Sequence, residues 1–267
     1  MIEKTVTRPG DEVARDPVTR DKFLGGQVEL FQPSARHHRS GLDAVLLAAS
    51  LPAETAGRVV DLGAGAGAAG LCAAARIGAI EVTLVEREES LCHLARESLS
   101  LPENSRFSER VQILGADVTA KGQARKAQGL APGMADHVIM NPPFYDTRHR
   151  PSPHAAKAGA HVLAEGGLDP WLRTASDLLV SGGSMTMIFR ADGLDDVLAA
   201  MAGRFGQVVV FPVFPRASED ATRIILRGIR GSRGPMRLRP GLVLHAKGSG
   251  YVPAVEAILR DGAALVL

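Results

Sequence analysis

Arg58-Val59-Val60-Asp61-Leu62-Gly63-Ala64-Gly65-Ala66-Gly67 is the stretch on which the reading of this chain turns. A short apolar run ends on an acid, passes into a turn with three glycines, and continues into an alanine-rich segment reaching about Ile77. That order reads as a buried strand, a loop and a helix. Glycines let the backbone take positive φ and let a ligand approach closely, and the helix start behind them offers unpaired amides. A dinucleotide site uses Gly-x-Gly-x-x-Gly around a pyrophosphate. Here the spacing is Gly-x-Gly-x-Gly, with Ala68 where the third dinucleotide glycine would stand. Asp61 would repel a pyrophosphate but attract the ammonium of an amino-acid moiety. The spacing and the acid together favour S-adenosylmethionine over NAD.

Working outward, Glu81 to Val85 reads as a second strand, followed by a helix from about Ser90 to Leu99. Val111 to Gly115 is a third strand and His137 to Met140 a fourth. Asp169 to Val180 is amphipathic. Ser184 to Phe189, Val208 to Val213 and Ala221 to Gly228 complete seven strands, with a helix over Leu194 to Phe205. Strands alternating with helices imply an α/β fold whose sheet is mostly parallel and covered on both faces. No helix separates the sixth and seventh strands, so the last can pair antiparallel. Upstream, Phe23 to Gln32 reads as a hairpin turning at Gly25-Gly26, and Gly41 to Leu51 as a helix. The expected organisation is a loose polar arm over 1–22, a hairpin and helix over 23–56 packed on the core, and a main domain over 57–267. Leu242 to Leu267 should add a strand and a helix to that core.

Two more acids end strands on the same rim, where open α/β sheets bind ligands. Glu86, about twenty residues past the glycine loop, is placed to accept from ribose hydroxyls. Asp117 is placed to hold the amino group of an adenine, with Val118 giving backbone and apolar contact. The fourth strand runs straight into Asn141-Pro142-Pro143-Phe144. A planar amino nitrogen is a poor nucleophile because its lone pair is delocalised. It needs acceptors for its hydrogens while that lone pair turns toward an electrophile. Asn141 offers its side-chain oxygen and Pro142 its carbonyl. Prolines fix φ and donate no N–H, so Pro142 and Pro143 hold these acceptors in place. Phe144 offers a face on which a base can stack.

Asp61 to Gly67 with Asn141 to Phe144 resembles the amino methyltransferases of adenine, cytosine and glutamine. Phe31-Gln32-Pro33 through Arg39-Ser40-Gly41-Leu42-Asp43-Ala44-Val45-Leu46-Leu47 narrows this: it is similar to the bacterial tRNA(Val) adenine-N6 methyltransferase family. The resemblance covers most of the chain from about Phe23. It implies a Rossmann-like class I methyltransferase fold with a seven-stranded mixed sheet and a small N-terminal extension. It implies S-adenosylmethionine as cofactor and an RNA substrate, tRNA first. It also implies that Gly41 and Asp43 lie near the methionine end of the cofactor, that Asp61, Gly63, Gly65, Gly67, Glu86, Asp117, Val118 and Asn141 line it, and that Asn141 to Phe144 hold the base. The chain departs from the family over Pro151 to Gly167, a long polar segment that could serve as a substrate loop.

Composition sets the outer bounds. A 45% hydrophobic and 22% charged chain suits a globular protein with a sizeable core. A formal net charge of +2 excludes a polycation. Basic clusters at Arg36 to Arg39, Arg148 to Arg150 and Arg223 to Arg239 face either phosphates or solvent. Cys72 and Cys92 read as core residues. The absence of a signal segment and of a run of 18 apolar residues points to a cytoplasmic protein without membrane contact. His37, His38, His149, His154 and His161 show no metal-ligand spacing, and no metal is expected. Two other readings share these features: a methyltransferase for the glutamine amide of a protein, and an RNA-binding protein with a vestigial cofactor pocket. DNA as substrate is disfavoured because no separate target-recognition domain is visible.

Overall fold

The structure is a computed structural model that describes residues 18–33, 41–143, 167–246, 248 and 250–267. Phe144, the arginines at 36–39 and 148–150, and the segment 151–166 lie outside the described residues.

Seven long strands form the body of one sheet: β3 (Gly57–Leu62), β4 (Ile80–Glu86), β5 (Val111–Gly115), β6 (Ala135–Met140), β7 (Leu179–Arg190), β8 (Phe205–Phe214) and β9 (Arg223–Arg230). Two-residue strands β10 (Arg237–Leu238) and β11 (Leu242–Val243) add to β8, giving nine strands where seven were expected. β11 is the strand expected within Leu242 to Leu267, whereas β10 was not anticipated, because two residues cannot show an alternating pattern. The order is β10-β8-β9-β7-β6-β3-β4-β5. As expected, β9 is antiparallel, and it inserts between β7 and β8.

The helices are α1 (Leu42–Ala49), α2 (Ala68–Arg76), α3 (Glu89–Leu99), α4 (Ser105–Ser108), α5 (Gly122–Ala127), α6 (Asp169–Leu178), α7 (Leu194–Met201) and α8 (Pro253–Asp261). Residues of α1, α2 and α8 share one core with Val59, Ile139, Ile188 and Ile225 of the sheet. Residues of α6 and α7 share the other with Val60, Val138, Met187 and Leu226. Neighbouring strand residues thus feed opposite faces, as a sheet buried on both sides requires. None of these helices is long and apolar enough to cross a membrane.

The N-terminal hairpin pairs β1 (Val18–Phe23) with β2 (Val28–Pro33). It begins at Val18, five residues inside the segment 1–22 expected to be a loose arm. The β1 sequence Val-Thr-Arg-Asp-Lys-Phe is mostly polar because this edge strand is mostly exposed. Fully buried Asn104 fixes the hairpin to the domain. Its Oδ1 accepts from the Glu29 amide at 3.1 Å, and its Nδ2 donates to the carbonyls of Glu29 (2.6 Å) and Ser98 (2.7 Å).

The fold sets up one special place. From β3 the chain builds outward through β4 to β5, then returns to the other side of β3 with β6. The gap above the ends of β3 and β6 is the switch point at which such sheets bind ligands. Asp61 pairs with Ile139 and Leu62 with Met140, so the glycine turn and Asn141 emerge side by side there.

Candidate active site at the strand switch point

Asp61 is buried at the end of β3, and its Oδ2 accepts from the Gly70 amide at 2.8 Å. Burial pushes its carboxyl up to about 7; the Gly70 N–H opposes this, and the charge of Glu86 adds to it. A Cβ on Gly70 would run into the Leu84 side chain. This glycine therefore lets α2 close onto β4 and deliver its amide to Asp61. Sequence reading did not single it out.

In the loop, Gly63 and Gly65 take positive φ, +71° and +59°, for different reasons. A Cβ on Gly63 would lie 2.5 Å from Cη2 of Trp171, which packs over the turn from α6. A Cβ on Gly65 would meet no atom within 4 Å. Gly65 thus presents bare backbone to open space, which is what a ligand approaching a loop needs. Gly67 precedes α2 at the helix start, close against Leu84.

Glu86 ends β4, and its carboxylate faces the same loop. Its Oε2 accepts from the Gly65 amide, while its Oε1 accepts from the amides of Arg87 and Glu88, each at 2.9 Å. Three amides leave part of the carboxylate's accepting capacity for a further donor. Beyond it, Asp117 folds back on its own chain, its Oδ1 accepting from Thr119 N (2.8 Å) and Thr119 Oγ1 (2.7 Å). Val118 is buried, and its carbonyl accepts from Thr174 Oγ1 at 2.7 Å. Arg125 bonds that hydroxyl at 3.0 Å and pairs with Asp177. Thr174, Arg125 and Trp171 support this side of the site and were not anticipated. The one clue was that Trp171 is the only tryptophan in the chain.

Asn141 follows fully buried Met140 and precedes Pro142 and Pro143. Its Oδ1 is buried and has no hydrogen-bond donor among the described residues. A buried amide oxygen left without a donor costs on the order of 1–3 kcal/mol. It is an acceptor aimed at nothing the described chain supplies.

Gly41 and Asp43 open α1. Asp43 Oδ2 takes Arg223 Nε at 2.9 Å, and Arg223 begins β9 opposite Arg190, the last residue of β7. Asp43 is therefore on the binding rim but held in an ion pair, two strands along from β6. Among the described residues no cluster of His, Cys, Asp and Glu could hold a metal ion.

A glycine turn and three strand-end acids along one rim, with an unpartnered amide oxygen at the switch point, define an S-adenosylmethionine-dependent methyltransferase of the Rossmann-like class I fold. The chain belongs to the methyltransferase small domain family, whose model matches residues 37–213. Among solved structures it is similar to a predicted O-methyltransferase from Agrobacterium tumefaciens, at 39% identity and a TM-score of 0.73, over 84% of this chain and 99% of that one. A Thermus thermophilus 16S rRNA N2 G1207 methyltransferase, solved with its methyl donor and guanosine, shares the fold at 19% identity and a TM-score of 0.56, over 80% of this chain and 50% of that one. Among curated relatives, the tRNA1(Val) (adenine(37)-N6)-methyltransferase of Aeromonas hydrophila is 28% identical over 72% of this chain and 76% of its own length. Similarity to the enzymes of that name from Shewanella strains W3-18-1 and MR-4 spans 40% and 61% of their lengths.

Proposed function

We propose that this chain methylates the N6 amino nitrogen of adenine in RNA, with tRNA as the substrate. The observation that carries the reading is the buried, unpartnered Oδ1 of Asn141 at the end of β6, beside the glycine turn. S-adenosylmethionine fits the arrangement: bare backbone at Gly65 gives room, and Asp61, Glu86 and Asp117 offer carboxylates along one rim. Asp61 would face the ammonium end, Glu86 the ribose and Asp117 with Val118 the adenine, while Gly41 and Asp43 would close the methionine end. When bound, the cofactor supplies a methyl group on a positively charged sulfur.

The chain's own part is to make a weak nucleophile attack. Asn141 Oδ1 and the Pro142 carbonyl would accept the two amino hydrogens. The nitrogen then becomes pyramidal, which withdraws its lone pair from the ring and directs it at the methyl group. The N–C bond would form as the methyl–sulfur bond breaks, and one amino proton is afterwards lost to water. Pro142 and Pro143 keep these acceptors from moving. Phe144 would stack on the extruded base. Holding two partners in line accounts for most of the acceleration, and no strong base is required. An alcohol or phenol would need its proton removed, and an amide oxygen and a prolyl carbonyl are poor bases for that. The site's chemistry therefore favours nitrogen over the oxygen acceptor in the Agrobacterium protein's description.

A glutamine amide presents the same planar NH2, so acceptor geometry alone does not choose between RNA and protein. The names of the curated relatives favour RNA, and that substrate implies a cytoplasmic enzyme. The test is transfer of labelled methyl groups to total bacterial tRNA, followed by nucleoside analysis. Label in N6-methyladenosine supports the reading. Intact cofactor binding with no label in tRNA refutes it and moves the substrate to a protein amide.

A further inference from the structure

We infer that Arg227, Arg233, Arg237 and Arg239 form a docking surface for the RNA phosphodiester backbone, separate from the switch-point site. The inference rests on the RNA reading above and assigns that substrate a second contact. These four arginines have no hydrogen-bond or ion-pair acceptor for their guanidinium groups among the described residues. Every other described arginine holds a carboxylate, a carbonyl or another group of the protein. The unpaired arginines are thus confined to β9 and the chain leading into and just past β10.

Register brings Arg227, Arg237 and Arg239 together, and Arg233 lies in the short connection between β9 and β10. Arg227 of β9 pairs with Val209 of β8, and Val209 pairs with Arg237 of β10. Side chains repeat their face every second residue, so Arg237 and Arg239 share the face that Arg227 occupies. Arg227 is half-buried, and both burial and the neighbouring Arg237 charge lower its pKa. Arg239 carries a buried Nε without a partner. Arg227 lines a cleft of about 400 Å³ together with Ser184, Thr186 and His137, where His137 Nδ1 and Ser184 Oγ are bonded to each other at 2.8 Å. The acid in that cleft, Asp136, is already held by Arg58 at 3.1 Å.

Like charges gathered without counter-charge cost folding energy and fix no part of the core. A polyanion would offset that cost, since each phosphate neutralised also releases counterions. Location fits the same partner. Met140 is in a row with Met187, Leu226, Val210 and Leu238 across the sheet. Asn141 and Arg239, the next residue of each parallel strand, are therefore level. Four strand spacings separate them, about 19 Å. An RNA that placed a base at Asn141 would continue across these arginines.

The test compares wild type, Arg233→Gln/Arg237→Gln, Arg239→Gln and the charge-matched control Arg96→Gln/Arg260→Gln. Binding of unfractionated tRNA is followed by fluorescence anisotropy between 50 and 200 mM salt, with methylation kinetics and calorimetric titration of S-adenosylmethionine alongside. The double patch variant should bind tRNA at least tenfold more weakly, and its log–log salt slope should fall by about 2. Arg239→Gln should shift affinity and slope in the same direction, by about half as much. KM for tRNA should rise, while kcat at saturation, cofactor affinity and the control stay within twofold of wild type. Patch variants whose affinity and salt slope match the control would overturn the docking surface. A wild type that binds tRNA through the patch but methylates no adenine would overturn the substrate nitrogen and leave the surface standing. A wild type that binds no RNA would remove both.

Discussion

Replacing Asp61 by asparagine isolates the electrostatic cost built into the switch-point site. In the folded chain burial lifts this carboxyl to about 7; in the unfolded chain an aspartate titrates near 3.9. Between those values the folded state keeps a proton that the unfolded chain has released. Unfolding free energy therefore falls as pH rises through that window, and the penalty is complete above about pH 7. Three units at 1.36 kcal/mol each give about 4 kcal/mol, a large share of the 5–15 kcal/mol that typically holds a domain together. The amide in Asp61→Asn would carry no charge, yet its oxygen could still accept the Gly70 N–H that Asp61 holds at 2.8 Å. The stability of Asp61→Asn relative to wild type should thus climb by roughly 3 kcal/mol between pH 4.5 and pH 8, the rest of the difference lying below pH 4.5. Urea unfolding of both chains without cofactor, at three pH values across that range, measures it directly. All other titrating groups are common to the two chains and cancel in the difference. A difference independent of pH would refute the burial argument. With the stability gain should come a loss of function: cofactor affinity at pH 8 is expected to fall at least tenfold.

Asn141→Ala should lower methyl transfer by roughly a hundredfold, about 3 kcal/mol of barrier, with cofactor affinity by calorimetry changed less than threefold; near-normal turnover would remove Asn141 from the mechanism. Gly63→Ala drives a methyl group into Trp171 and strains a positive φ, so thermal melting should show a loss of about 2–3 kcal/mol. Gly65→Ala meets no protein atom and should cost only about 1 kcal/mol, while weakening cofactor binding; equal stability losses at the two glycines would contradict the open space assigned to Gly65. Asn104→Ala strands the Glu29 amide and two carbonyls in the interior. A loss of about 3 kcal/mol is expected, with early hydrogen exchange along β2 as its signature.

The main sheet was legible because Val59-Val60, Leu84-Val85 and Val138 to Met140 are continuous apolar runs, as strands buried on both faces must be. The position of β9 was half legible: the missing helix after β8 announced an antiparallel strand but not its insertion beside β7. Edge elements escaped because exposure hides their pattern, as in the polar sequence of β1 and the two-residue β10. At the site, residues that touch the ligand-facing space announce themselves by type, as Asp61 and Asn141 do. Residues that support them do not. Gly70 matters because Leu84 leaves no room for a Cβ, and Thr174 because it spans from Val118 to Arg125, pairings between positions far apart in sequence.

Glu86 shows why position alone does not assign a role. A strand-end acid there reads as a ribose ligand, yet it also stitches the glycine turn to β4 through three amides, so its loss would disturb the loop before any cofactor arrived. Asp61 and Asn141 differ from it in that each is a net cost to the empty fold. One is a carboxylate whose ionisation is opposed by burial, the other an amide oxygen with no donor. A pocket that had lost its ligand would be relieved of both by single substitutions, Asp61→Asn and Asn141→Leu. Their retention in adjoining registers of β3 and β6 argues against a vestigial pocket. A cation held at Asp61 and an N–H donor held at Asn141 would remove both costs.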